Sequence, residues 1–188
     1  MLEFFLLTSE IRSTWRSELE HLIRARGEIA GDDEIIIIGS QAILGQFPNA
    51  PVRLLMSMEA DIYPKNDPEK ADMVDGAIGE GSSFHELHGY YAQGVGSNTA
   101  ALPKDWESRL VTVNNENTHG VTGYCLEVHD LAISKMIAMR PKDLEFVQEL
   151  VRHDMIEKKT VLRRLKQTDL KDSMRRTIGA RIKSLFKS

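Results

Sequence analysis

The spacing of apolar residues changes period along the chain, and each change predicts an element. Leu19, Leu22 and Ile23 recur at helical spacing, so a helix is expected over residues 9–26, with Ser9 as its N-cap. Gly31-Asp32-Asp33 makes a turn. The uninterrupted β-branched run Ile35-Ile36-Ile37-Ile38 fits a strand buried on both faces. Gly39-Ser40 ends it, and Gln41-Ala42-Ile43-Leu44 looks like the start of a helix. A loop over residues 47–51 leads to a second strand late in residues 54–63, stopped by Pro64. Asp67-Pro68 opens a helix to about Gly79, with proline at its favoured first position. Further strands are expected within residues 84–95, chiefly 90–95, and over 110–113 and 123–128.

From His129 onward the pattern is helical. One helix is expected over residues 130–139, a second from Pro141 to about His153, and one or two basic helices after that. Strands with helices before, between and after them predict an α/β (α+β) fold around a mixed sheet flanked by helices. The expected division is a core over residues 1–128 and a helical region over residues 129–188.

A chain of 188 residues, 41% hydrophobic and 28% charged, has the balance of one globular domain with a small helical appendage. Cys125 is the sole cysteine, so no internal disulfide forms, and a reducing, cytoplasmic setting is expected. Its flanks suggest a buried strand position. No apolar run approaches the roughly 18 residues of a membrane span, so no membrane partner is expected. The apolar opening Met1-Leu2-Glu3-Phe4-Phe5 carries an acid where a signal peptide carries a base, and it is expected to pack as a first segment. Charge is uneven. Residues 157–188 hold 11 Lys or Arg against 3 Asp or Glu, while the rest holds 13 against 25. A basic end on an acidic body can attract a polyanion such as RNA, or it can simply be a solvated amphipathic helix.

Two features carry candidate chemistry. At Gly39-Ser40 a glycine lets the backbone turn sharply, and the Ser40 hydroxyl and nearby N–H groups can hold a phosphate. In Glu59-Ala60-Asp61 the two acids stand two positions apart on a predicted strand, so both project from one face. Like charges held so close repel, which favours a cation between them. Mg²⁺ suits the position, because it takes carboxylate oxygens and keeps places for phosphate oxygens. Alone, the pair also fits an exposed strand face. His85, Glu86 and His88 form a competing cluster that lacks convincing further ligands for a transition metal. Trp106 and Arg109 are expected to pack in the core.

Strand, Gly-Ser, helix, then a strand with acid-x-acid resembles the signature of the polymerase-beta-like nucleotidyltransferase superfamily. The later segment Asp130-Leu131…Lys135…Arg140-Pro141-Lys142-Asp143 is similar to one in the abortive-infection type nucleotidyltransferases, which include toxins of toxin–antitoxin pairs. Uncharacterised bacterial relatives of these proteins share the likeness, which spans roughly residues 34–153. The resemblance implies a nucleotidyltransferase fold and transfer of an NMP from an NTP to an acceptor such as RNA, tRNA or a protein. It implies Mg²⁺ or Mn²⁺ on Glu59 and Asp61, phosphate contacts from Gly39, Ser40, Lys135 and Arg140, and a catalytic place for Asp143. It also implies a possible antitoxin partner. Two departures stand out: the first acid is Glu where Asp is commoner, and the spacing from Gly-Ser to the acids is long. They leave open a second expectation, a module that binds nucleotide, RNA or a partner without turnover.

Overall fold

A computed structural model describes residues 14–187. Helix α1 spans Arg16–Ala30. Ser9, expected as its cap, lies outside the described residues. Trp15 stands at the N-cap position, where its N–H donates to the Glu18 carboxylate at 2.8 Å. The helix ends at Gly31 in the left-handed conformation (φ 62°), which glycine adopts without strain. The isoleucine run forms strand β1, Glu34–Ile37. The residues after Gly39 make only a 3₁₀ turn, Ser40–Ala42, and one helical turn, α2, Ile43–Gln46.

Strand β2 is Glu59–Pro64. The Asp67-Pro68 start leads into a 3₁₀ turn, Pro68–Asp72, and then α3, Met73–Ile78, which stops at Gly79. The strand expected over residues 90–95 is present as β3, Tyr91–Gly94. Before it, residues to which no element was assigned form a short helix, α4, Ser83–His88, because Ser82 Oγ accepts from the His85 N–H at 3.2 Å and Gly89 closes the other end at φ 74°. Strands β4, Val111–Val113, and β5, Thr122–Cys125, follow. Helices α5, Val128–Ala138, α6, Pro141–Arg152, α7, Lys158–Gln167, and α8, Asp172–Leu185, complete the described chain.

Among the described residues the sheet has five strands in the order β3-β2-β1-β5-β4. It is mixed: β1 pairs antiparallel with β2 and parallel with β5, β2 pairs parallel with β3, and β4 pairs antiparallel with β5. Residue alternation gives its two faces different neighbours. Ile35, Ile37, Ala60, Ile62, Ala92 and Cys125 face one hydrophobic cluster, which continues into Leu19 and Ile23 of α1, Leu131 of α5, Leu150 of α6, Val161 of α7 and Ile178 of α8. The opposite face carries a much smaller cluster of Ile36, Ile38, Tyr63 and Ala71. It also carries Glu59 and Asp61. Cys125 is fully buried, and burial pushes its thiol up to about 12, so it is not a reactive thiolate.

One buried ionic junction ties the loop before β4 to the helical region. Asp130 of α5 is fully buried, with Arg109 Nε 2.7 Å from one carboxylate oxygen and Arg164 Nε of α7 3.1 Å from the other. The start of α5 is held as well: the Glu127 side chain accepts from the His129 and Asp130 N–H groups, and His129 Nε2 accepts from the Glu157 N–H at 3.0 Å. Removing the carboxylate with Asp130→Ala strands two largely buried guanidiniums. We expect a loss of about 3–5 kcal/mol in urea unfolding, whereas a value below about 1 kcal/mol would show that the junction does not hold the helices in place.

Candidate active site

Glu59 and Asp61 lie on the same face of β2, at its start, both partly exposed, with buried Ala60 between them pointing the other way. The N–H of Ile38 donates to the Asp61 carbonyl at 3.0 Å, which sets the end of β1 directly beside the acid pair. Gly39 follows Ile38, and its lack of a side chain decides the geometry. A Cβ there would lie 2.7 Å from the Asp61 Cγ and 2.9 Å from its Cβ. Turning the carboxylate away relieves the first clash but not the second, because the Asp61 Cβ is fixed by the strand. The glycine is therefore what brings the Gly-Ser turn and the second acid into one surface.

Ser57 shapes the approach to β2. Its hydroxyl bonds the Glu59 backbone on both sides, and its carbonyl accepts from Thr14 Oγ1 at 2.8 Å and from the buried Gln41 side-chain amide. The turn residue after Ser40 thus anchors the segment that delivers Glu59.

Electrostatics separate the two sides of the site. Burial raises the Glu59 pKa, and Asp61 raises it further through repulsion and a shared hydrogen bond, against the opposing pull of Lys142 and Arg140. Facing the acids is a cationic group built from α5 and α6. Lys135 Nζ donates to Asp143 Oδ1 at 2.9 Å, and Arg140 Nε donates to Asp143 Oδ2 at 2.6 Å. Asp143 is fully buried and Lys135 nearly so, while the Arg140 side chain is 59% exposed. Burial alone would raise the Asp143 pKa, but the bonds from Arg140 and Lys135 outweigh it and hold the carboxyl below its ordinary value. Burial lowers the Lys135 pKa, opposed by Asp143 and also by Asp61. Asp61 and Glu59 both act on Arg140, so the cations sit within electrostatic reach of the acid pair.

Gly39, Ser40, Glu59, Asp61, Lys135 and Arg140 therefore gather at one end of the sheet. Asp143 lies there too, but both its oxygens are engaged by the two cations. Its geometry is that of a residue that positions Lys135 and Arg140. Pro141 at the first turn of α6 sets Asp143 there, a spacing visible in Arg140-Pro141-Lys142-Asp143.

Tyr91 and Gln93 belong to the site without having been picked out in the sequence. They stand opposite Glu59 and Asp61 in the parallel β2–β3 pair, and both acids help to raise the Tyr91 pKa after burial. Their period-2 spacing is visible in the sequence; their partner strand is not. The histidines of α4 divide. His85 packs against Tyr91 with ring centroids 4.6 Å apart, whereas His88 packs against His21 at 4.9 Å and Phe84 at 4.6 Å. Among the described residues no three His, Cys, Asp or Glu side chains converge on one point, so the expected His85–His88 metal alternative finds no third ligand.

Residues 17–179 match a family described as nucleotidyltransferase of unknown function (DUF6036). The chain belongs to this family. The match covers the sheet, the acid pair and the helices up to most of α8, and it agrees with the mixed α/β architecture. No curated protein and no solved structure matches the chain. Among the described residues of this nucleotidyltransferase-family protein, no helix is long and apolar enough to cross a membrane.

Two consequences are measurable. Gly39→Ala forces β2 and the turn apart, and the expected cost is about 1–3 kcal/mol in thermal or urea unfolding; a neutral result would mean that the two segments are not held in contact. Glu59 titrates in the opposite sense to an ordinary paired acid. Its proton is held more tightly in the fold than in the unfolded chain, so stability falls as pH climbs above the ordinary value of 4.5 and stays lower beyond the raised one. Glu59→Gln removes that loss. Its melting temperature should exceed the parent's at pH 7–8, by roughly 2–4 °C for each kcal/mol of relieved repulsion, with the gain vanishing below about pH 4.5. An equal gain at pH 4 and pH 8 would contradict the assignment.

Proposed function

We propose that the protein transfers a nucleoside monophosphate from an NTP to an acceptor hydroxyl on RNA, tRNA or a protein. The observation that carries this reading is the contact of Gly39 with Asp61, which makes the phosphate turn and the acid pair one continuous surface. Two adjoining carboxylates, one with a raised pKa, form a site short of positive charge, and Mg²⁺ or Mn²⁺ fits that donor set because such ions commonly use one or two protein carboxylates and fill the rest of their shell with water and phosphate. Bound by Glu59 and Asp61, the ion would supply charge to offset that of the α-phosphate and the departing pyrophosphate.

The chain's own residues have distinct tasks in this reading. The Ser40 hydroxyl and the backbone of the turn hold the triphosphate. Lys135 and Arg140 lie against it, and Asp143 fixes both in place before substrate arrives, so their positions cost little reorganisation during reaction. The acceptor oxygen forms a bond to the α-phosphorus, the bond from that phosphorus to the bridging oxygen breaks, pyrophosphate leaves with the electron pair, and the acceptor's proton passes to solvent. Exposed Lys159, Arg163, Lys166, Arg176, Arg181 and Lys183 on α7 and α8 favour RNA as the acceptor. A cytoplasmic setting, where NTPs are abundant, belongs to the same reading, and the likeness to abortive-infection enzymes extends it to a toxin restrained by an antitoxin.

A second reading rests on the engagement of Asp143. With that carboxylate taken by Lys135 and Arg140, Glu59 and Asp61 are the acids left for a metal, as suits a module that binds NTP or RNA without turnover. Incubation with α-labelled NTPs, Mg²⁺ and total RNA separates the two. The transferase reading expects label in RNA and its reduction by roughly 10²–10³-fold in Asp61→Asn. Saturable NTP binding with no transfer to RNA or protein, with either Mg²⁺ or Mn²⁺, would replace it with the binding module.

A further inference from the structure

The face of the sheet that carries the acids also carries a cleft of about 610 Å³ at the other end of β2. Its volume lies within the range of small-molecule sites. Glu59, Asp61, Tyr63 and Lys65 alternate onto this face, and the Tyr63 position is about 7 Å along the strand from Asp61. Ile36, the buried Tyr63, Trp106, Leu110 and Tyr124 are among the residues that line it. Ser97 and Asn98 supply polar groups at the mouth, and both are exposed.

The charges of the cleft narrow the occupant. Lys65 is the cation in its lining, and it is already paired with Glu34 at 2.8 Å and lies over the Tyr124 ring at 4.5 Å. Glu107 is on the lining as an acid. A phosphate therefore gains little here, whereas a flat, uncharged ring gains the partly exposed Trp106 as a stacking partner, with Tyr63 and Tyr124 beside it and hydrogen-bonding groups at its edge. Burial, and then Glu107, push the Tyr63 hydroxyl up to about 12, so it remains a neutral donor at physiological pH. The wall is also preformed. Arg109 ends the Trp106–Arg109 turn, is fixed to Asp130, and donates to the Asp105 and Lys104 carbonyls, while the Lys104 N–H donates to the Gln167 carbonyl at 3.0 Å.

We propose that this cleft binds a nucleobase, stacked on Trp106 beside Tyr63 and Tyr124 and read at its edge by Asn98. That the ring belongs to a nucleotide rests on the transferase reading; the span from Tyr63 to Asp61 is one that a ribose bridges between a base and its phosphate or hydroxyl. The base is either that of the donor NTP or that of the acceptor end. Either way, the site couples base recognition at one end of β2 to phosphate chemistry at the other.

The test uses the full chain with Trp15→Phe, which leaves Trp106 as its one tryptophan. The four nucleosides and the four NTPs are titrated separately against Trp106 fluorescence, and affinities are repeated by calorimetry. Saturable quenching by at least one of them is expected, with affinity reduced about ten-fold by Trp106→Leu and about five-fold by Asn98→Ala. Asn98 is exposed, so its variant keeps the test valid if the tryptophan variant unfolds. A nucleoside displaced by its NTP places the donor base in the cleft; a nucleoside bound equally well beside saturating NTP places the acceptor base there. The absence of any quenching, or binding unchanged in Asn98→Ala and in every folded Trp106 variant, overturns the proposal. Nucleoside binding without label transfer keeps the cleft and discards the transferase; label transfer with unaltered KM in both variants does the reverse.

Discussion

Where Gly39 meets Asp61, two strands that run in opposite directions come together with no side chain between them on one side. The ladder between β1 and β2 brings Ile38 level with Asp61, and everything chemical in the site depends on what comes next in the chain. A residue with a Cβ at position 39 would keep the turn away from the acid-bearing strand by about the width of a methyl group. Ser40 would then no longer share a surface with the carboxylates, and Lys135 and Arg140 would face an acid pair separated from the Gly-Ser turn. The backbone hydrogen bond and the missing side chain act together: the first sets register, the second permits contact.

Around that contact the charges are arranged as two opposed groups and not as scattered ion pairs. Burial, and then repulsion from Asp61, raise the Glu59 pKa. The cations repel each other too, since Arg140 lowers the Lys135 pKa, and Asp143 is what keeps them together. Burying an ion pair does not in general stabilise a fold, because desolvation offsets the attraction. The Lys135–Asp143–Arg140 group is better understood as one that holds positive charge in a fixed place beside the acid pair, at the cost of desolvation. It sits on α5 and α6, helices that also pack on the main hydrophobic cluster of the sheet.

The parts of this arrangement that are local in sequence were legible there. The isoleucine run, the Gly-Ser stop, the same-face spacing of Glu59 and Asp61, and the proline that starts α6 all follow from one short segment at a time. The family match agrees with the nucleotidyltransferase fold that those segments imply. What was not legible depends on which segments meet. Nothing in Tyr91-Ala92-Gln93 states that it pairs parallel with β2, so the place of Tyr91 beside Glu59 was hidden. The stretch before it carries no clear period, and only the caps at Ser82 and Gly89 define it as α4. Asp143 reads equally well as a catalytic acid or as a first-turn acid; only the approach of Lys135 from the preceding helix assigns its bonds. Trp106 reads as core, and it does pack on both clusters, yet one side of it faces the cleft.

The face of β2 turned away from the main core carries three kinds of side chain in order: partly exposed acids at its start, the buried Tyr63 ring near its end, and a lysine just past it. The elements packed at the two ends of the strand decide what surrounds each of them. At the start, α5 and α6 bring positive charge to the acids. Toward the end, the Trp106–Arg109 turn brings an aromatic wall to Tyr63. Both depend on α5, which carries Lys135 near its C-terminus and Asp130 near its N-terminus, the latter gripping Arg109. One helix thus sets the distance between the cationic group and the cleft wall, so a shift of α5 along its axis would move both together.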